Sequence, residues 1–166
     1  MNYQFAHASG ALVISTTSND VKAAHLISLG AAHTINYRTS PHWGEIAKSL
    51  SPNGEGISTI IDVGGLSTLP ESFKAVAING AISLTGVLGE AGQEKAEIMD
   101  VLWRVCTLRG IFLGTKNQYN DMVKFIEEQN VKPVYDEKVF ALDELKEAFA
   151  YLEQQKHFSK VVIKIA

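Results

Sequence analysis

The chain has 166 residues, 46% hydrophobic and 20% charged, which fits one globular domain with at most a small appendage and excludes a disordered or fibrous chain. Lys and Arg number 15 against 18 Asp and Glu, for a net charge of −3. No basic cluster of five or more is present, so the electrostatic footprint of a nucleic-acid binder is missing, and the apolar runs are strand-sized, too short for a membrane span.

The chain then alternates strand-like and helix-like segments. Leu12–Thr16 is a short β-branched run of the kind buried on both faces of a sheet. Thr17-Ser18-Asn19-Asp20 follows as a helix N-cap cluster, Val21, Ala24 and Leu29 take helical spacing, and Gly30 closes that helix. Thr34–Tyr37 reads as a strand, and Ser40-Pro41 as a cap before a first-turn proline. Trp43, Ile46, Ala47 and Leu50 form one apolar helical face. Ser58–Val63 is a second buried-type strand broken by Gly64-Gly65, and Thr68 with Glu71 has capping-box spacing for the next helix, which Asn79-Gly80 stops. The rest predicts strand Ala81–Thr85, helix 95–106, strand Gly110–Gly114, helix 118–129, strand 134–140, helix 143–154 and strand 161–165. Strands each followed by a helix predict an α/β fold, a mostly parallel sheet with helices on both faces.

In such a sheet ligands bind beyond the carboxyl ends of the strands, where loops and helix N-termini converge. Val63-Gly64-Gly65, Gly86-Val87-Leu88-Gly89 and Leu113-Gly114-Thr115 are three successive strand ends of this kind. Their glycines either admit a ligand to the backbone or only make tight turns. The loop after the first strand is more specific. Thr17 and Ser18 stand where an NAD-binding sheet carries an acidic residue, and Lys22 lies one turn into the helix. Hydroxyls, helix-start amides and an ammonium favour a 2′-phosphate, whereas Asp20 opposes one unless it points away. The competing reading is a plain N-cap with a solvated Lys22. Tyr37 could cover the adenosine side. The five histidines share no metal-ligand spacing, and the single Cys106 can make neither an internal disulfide nor a structural zinc site; it reads as a core thiol. No catalytic residue and no metal ligand is predicted. Met1–His7 lacks a basic start and an apolar stretch, so a soluble cytoplasmic protein is expected.

Gly10–Ser18, Leu29–Arg38, Asp62–Gly65, Asn79–Gly86 and Lys160–Ile165 together resemble the medium-chain dehydrogenase/reductase family, in its zinc-free quinone-oxidoreductase-like and alcohol-dehydrogenase-like members. The resemblance runs from about residue 2 to 166 and covers only the C-terminal half of such enzymes. It implies a truncated Rossmann-like sheet: residues 1–116 as a partial dinucleotide-binding domain, and 117–166 as a helix-strand-helix-strand segment that returns to a substrate domain absent here. It also implies NADP as cofactor, weakened by the missing Gly-rich turn. The central strand of the order 3-2-1-4-5-6 would lie between Leu12–Thr16 and Ser58–Val63. Without it those two edges must pair with each other, pair with another chain, or stay open. Self-association through strand edges, including Arg109–Leu113, is therefore expected, with a missing domain or partner chain as the other possible associate. The alternatives to an oxidoreductase portion are an oligomeric interaction protein and a non-redox enzyme reusing the groove.

Overall fold

Helices and strands alternate from the first residues of the computed structural model, which describes residues 2–88 and 94–165. In chain order the elements are α1 (Asn2–Ala8), β1 (Ile14–Thr17), α2 (Asp20–Ser28), β2 (His33–Asn36), α3 (Trp43–Leu50), β3 (Ile57–Asp62), α4 (Leu69–Ala75) and β4 (Val76–Leu84). There follow α5 (Asp100–Trp103), β5 (Thr107–Gly110), α6 (Lys116–Glu128), β6 (Tyr135–Ala141), α7 (Leu145–Glu153) and β7 (Lys160–Lys164). Every ladder is parallel, as the strand-helix alternation predicts.

The strands form three sheets rather than one: β1-β2, β3-β4-β5 and β6-β7. Ile14 to Thr17 face His33 to Asn36, and Ala81 to Leu84 face Thr107 to Gly110. Among the described residues no ladder joins β1 to β3, so both edges stay open. Helices hold these two sheets together. Ile35, Ala47 and Ala75 form a buried cluster on which Ile14 of β1, Trp43 and Leu50 of α3, and Ile57 and Ile60 of β3 all pack. Ile60 also contacts a second cluster, Leu69, Phe73, Val76 and Ile82. Burying each large side chain of these clusters contributes about 1.5–3 kcal/mol. Between α3 and α4 the contact is backbone-close: the amide of Gly44 donates to Glu71 Oε2 at 2.7 Å.

Five local expectations are corrected. Ser40-Pro41 does not cap α3, whose N-cap is His42 without a side-chain bond. Thr68 makes no capping box, because its hydroxyl donates to the buried Asp62 carboxylate at 2.6 Å while Glu71 bonds Gly44 and Lys74. Within 95–106 only α5 is helical; Val101 and Cys106 pack on the cluster of Leu69 and Phe73, but Ile98 and Trp103 are 80% and 72% exposed, so only part of the apolar spacing finds a surface. The strand placed at Gly110–Gly114 lies at Thr107–Gly110 instead, since β4 ends at Leu84, whose carbonyl accepts the last bond from the amide of Ile111. Asn79 does not stop α4 but falls inside β4 with a left-handed φ of +60°, four residues past the end of that helix.

Candidate functional site

At the carboxyl ends of β1 and β2 the main chain brings four predicted residues into one corner. The buried Thr17 accepts the Tyr37 amide through its carbonyl at 3.0 Å, which fixes the two strand ends side by side. Ser18 is half-buried beside them, and Asn19 caps α2 by accepting the Lys22 amide at 2.8 Å. The Asn36 side-chain amide donates to Asp20 Oδ1 at 2.9 Å, so the charge that opposed a phosphate is bound to the end of β2. Lys22 Nζ donates to the Gln155 carbonyl at 3.2 Å, 133 positions away in sequence. Asn19, which the sequence places only in the cap cluster, belongs to this corner, as do Asn36 and Gln155, which the sequence does not single out. The two asparagines carried a signal, as short amides at a helix start and a strand end, whereas Gln155 carried none.

A cleft of about 420 Å³ opens beside Lys22, lined also by Asn19, His25, Asp136, Tyr151 and Phe158. The rings of His25 and Phe158 stack at 4.2 Å and join α2 to the C-terminal segment. Asp136 is buried in the wall. Burial pushes its carboxyl up, but the amides of Phe158 and Lys138 and the Tyr151 hydroxyl, all donating to it, hold it below the usual range.

The ends of β3 and β4 form a second group. Asp62, 3% exposed, accepts from the Gly65 amide at 2.9 Å, the Thr68 hydroxyl, and the Ser72 hydroxyl at 2.7 Å. Gly65 has a φ of +70°, and a Cβ there would stand 2.8 Å from the Gly86 carbonyl oxygen. A Cβ on Gly86 would overlap the Val63 carbonyl oxygen, and one on Gly64 the Thr68 side chain. The Leu88 amide closes the pair of loops on the Val63 carbonyl at 3.3 Å. Close approach of the two loops therefore accounts for Gly65 and Gly86, and the turn into α4 for Gly64, while Val87 and Leu88 project outward, each 82% exposed. Gly89 lies outside the described residues.

Leu113, Gly114 and Thr115 stand apart; no described hydrogen bond ties them to the other loops. Thr115 is engaged in a capping box with Gln118, which starts α6. Leu113 is 83% exposed.

Comparison with known proteins gives a consistent picture. The family described as zinc-binding dehydrogenase matches residues 1–128. A zinc-type alcohol dehydrogenase-like protein of Schizosaccharomyces pombe is 43% identical over 98% of this chain and 47% of its own. A probable quinone oxidoreductase of Leishmania amazonensis is 26% identical over 96% of this chain and 51% of its own. The crystal structure of an NAD-dependent alcohol dehydrogenase superposes with a TM-score of 0.85 at 29% identity, over 98% of this chain and 46% of that one. The chain thus spans about half the length of these relatives. Among the described residues no group of three or more His, Cys, Asp or Glu could hold a metal ion, so no chemistry is assigned to zinc here. No described helix is long and apolar enough to cross a membrane.

Proposed function

The chain belongs to the zinc-binding dehydrogenase family, and on that premise we propose that it is the NADP(H)-binding portion of a medium-chain oxidoreductase. In complete form such an enzyme transfers a hydride between the nicotinamide and a carbonyl, enone or quinone. The observation that carries the NADP reading is the corner at the end of β1. Ser18 and the first amides of α2 offer donors, Lys22 offers a cation, and Asp20 is bound to Asn36. A 2′-phosphate at this position would exchange the Gln155 carbonyl for a charged partner of Lys22, a stronger hydrogen bond. The fit is partial: residues 1–166 contain no Gly-rich turn for the pyrophosphate. The nicotinamide, when bound, supplies the hydride; this chain's residues would bind and orient the adenosine end. The single half-buried thiol, Cys106, is in keeping with work in the cytoplasm.

Titration of NADPH and NADH by calorimetry tests this reading. NADPH is expected to bind about tenfold tighter, roughly 1.4 kcal/mol, and Lys22→Ala to abolish the difference. Equal affinities in the unmodified chain, or a preference that survives the substitution, would overturn it.

A second reading, an oligomeric role, is favoured by one observation: Ile111, Phe112 and Leu113 are 42%, 95% and 83% exposed just past the outer strand β5. A consecutive apolar run of this exposure is a contact surface for another chain. Light scattering is expected to show a species larger than 18.1 kDa, weakened by Ile111→Lys. A single monomeric species at all concentrations refutes the oligomeric reading.

A further inference from the structure

The loop between α7 and β7 is held in an unfavourable backbone at both ends. Gln155 and Ser159 have left-handed φ values of +53° and +65° without being glycine. Such residues persist only where their surroundings fix them, and they cluster at ligand clamps. Four contacts fix this loop. The Gln155 carbonyl accepts Lys22 Nζ at 3.2 Å, the Phe158 amide donates to Asp136 Oδ2 at 2.6 Å, and the Ser159 hydroxyl donates to the Val134 carbonyl at 2.9 Å. The fourth is the stack of the Phe158 ring on His25 of α2. The loop is thereby set against α2, and Lys156, one peptide unit beyond the Gln155 carbonyl, lines the same cleft as Lys22.

The charges that line this cleft are unequally engaged. Asp136 is buried, and its carboxylate accepts from the Lys138 and Phe158 amides and the Tyr151 hydroxyl. Lys138 Nζ lies 4.4 Å over the Phe140 ring and 5.5 Å from that of Tyr151. Glu137 is the exposed acid of the wall. Among the described residues neither Lys22 nor Lys156 forms an ion pair, and Lys22 has only a neutral carbonyl as partner. A phosphate monoester brings close to two negative charges near neutral pH, with three strong acceptor oxygens. It can satisfy both ammonium groups, whereas a hydroxyl in its place compensates neither.

We propose that Lys156 is a specificity-determining residue of the adenosine end, which holds a 2′-phosphate together with Lys22. The Gln155 carbonyl keeps Lys22 directed into the cleft until the phosphate takes its place. The C-terminal loop thus supplies half of the charge that selects the cofactor, on a backbone already fixed before binding. This rests on the NADP(H) reading and adds to it a residue from the far end of the chain.

The probes are adenosine 2′,5′-bisphosphate and adenosine 5′-monophosphate, which differ only in the 2′-phosphate and need no turn for a pyrophosphate. Calorimetry is expected to show the bisphosphate binding at least tenfold tighter. Lys156→Ala should cut that affinity about tenfold and leave the monophosphate unchanged, and Lys156→Arg should restore the preference. Lys138→Ala, which removes a charge of the same cleft already placed over two rings, should change the affinity less than twofold. Hydrogen exchange gives a readout without a variant: the amides of residues 155–159 should slow when the bisphosphate is added. If the unmodified chain does not distinguish the two nucleotides, the NADP(H) reading fails and the role of Lys156 with it. If the preference is present and lost in Lys22→Ala but kept in Lys156→Ala, the cofactor reading stands and the role of Lys156 is overturned. Equal losses in Lys138→Ala and Lys156→Ala would mean diffuse charge and overturn it as well. Unchanged or faster exchange at 155–159 would mean that the phosphate only draws Lys22 away from the loop, which also overturns it.

Discussion

Gly44→Ala is expected to lower the stability of the chain by about 3 kcal/mol or more, as forced overpacking at a buried contact does. Gly44 is buried in the first turn of α3, and a Cβ there would overlap the Glu71 carbonyl oxygen and lie 2.9 Å from its carbon. Backbone cannot swing aside as a long side chain can. The added methyl must push α3 away from α4, and with it the 2.7 Å bond from the Gly44 amide to Glu71. Glu71 would then keep only Lys74 as a close partner in a site where its side chain is 9% exposed. Because this contact helps to bridge the two sheets, its loss is not confined to one helix. For a chain of this size 3 kcal/mol corresponds to roughly 6–12 °C in melting temperature. Gly110→Ala serves as the control, since nothing lies within 4 Å of a Cβ there, and it should stay within about 0.5 kcal/mol of the unmodified chain. Thermal unfolding of both variants decides the matter, and equal shifts would refute the bridging role.

Asp62→Ala is expected to cost about 3–5 kcal/mol, a large share of the ~5–15 kcal/mol that holds a typical domain folded. Its carboxylate accepts three donors: the Gly65 amide, the Thr68 hydroxyl and the Ser72 hydroxyl. Thr68 has the Gly65 carbonyl at 3.3 Å as a second acceptor, so two of the donors lose their only described partner. Each such buried group costs about 1–3 kcal/mol. The Gly64-Gly65 turn would also lose the bond that holds its amide inward. Asp62→Asn keeps the volume and one acceptor oxygen, and a hydroxyl can rotate to receive its new N–H, so a loss nearer 1–2 kcal/mol is expected. Urea unfolding of the two variants separates the cases. If alanine and asparagine cost the same, the three donors are not what Asp62 contributes.

Strand-helix alternation was legible in the sequence because each segment carries its own signal: β-branched runs for β1, β3 and β4, and an apolar stripe at Trp43, Ala47 and Leu50 for α3. The corner around Thr17, Ser18, Lys22 and Tyr37 was legible too, since three of the four sit within six positions. What the sequence does not express locally is partnership. Nothing in Thr68 or Glu71 says that Asp62 and Gly44 will claim them, and nothing in Gly65 says that Gly86 will lie against it. Those pairings are made across 6, 27 and about 20 positions by the fold as a whole. The same applies to the apolar face at 95–106, whose spacing predicts a helix but which packs only in part, through Val101 and Cys106, and keeps only 4 helical residues.

Two sheets joined by side chains on α3 and α4, with no shared ladder, also differ in how they can open. Cooperative unfolding spreads through hydrogen-bonded ladders and shared cores, and proteins divide into foldons where such links are few. Here β1-β2 and β3-β4-β5 meet through the packing around Ala47 and Ala75 and one amide-carboxylate bond. Loss of that packing frees the smaller sheet while the larger keeps its second cluster at Phe73 and Ile82. The corner that carries Lys22 thus rides on the unit of lower local stability, and its order depends on the junction of α3 with α4.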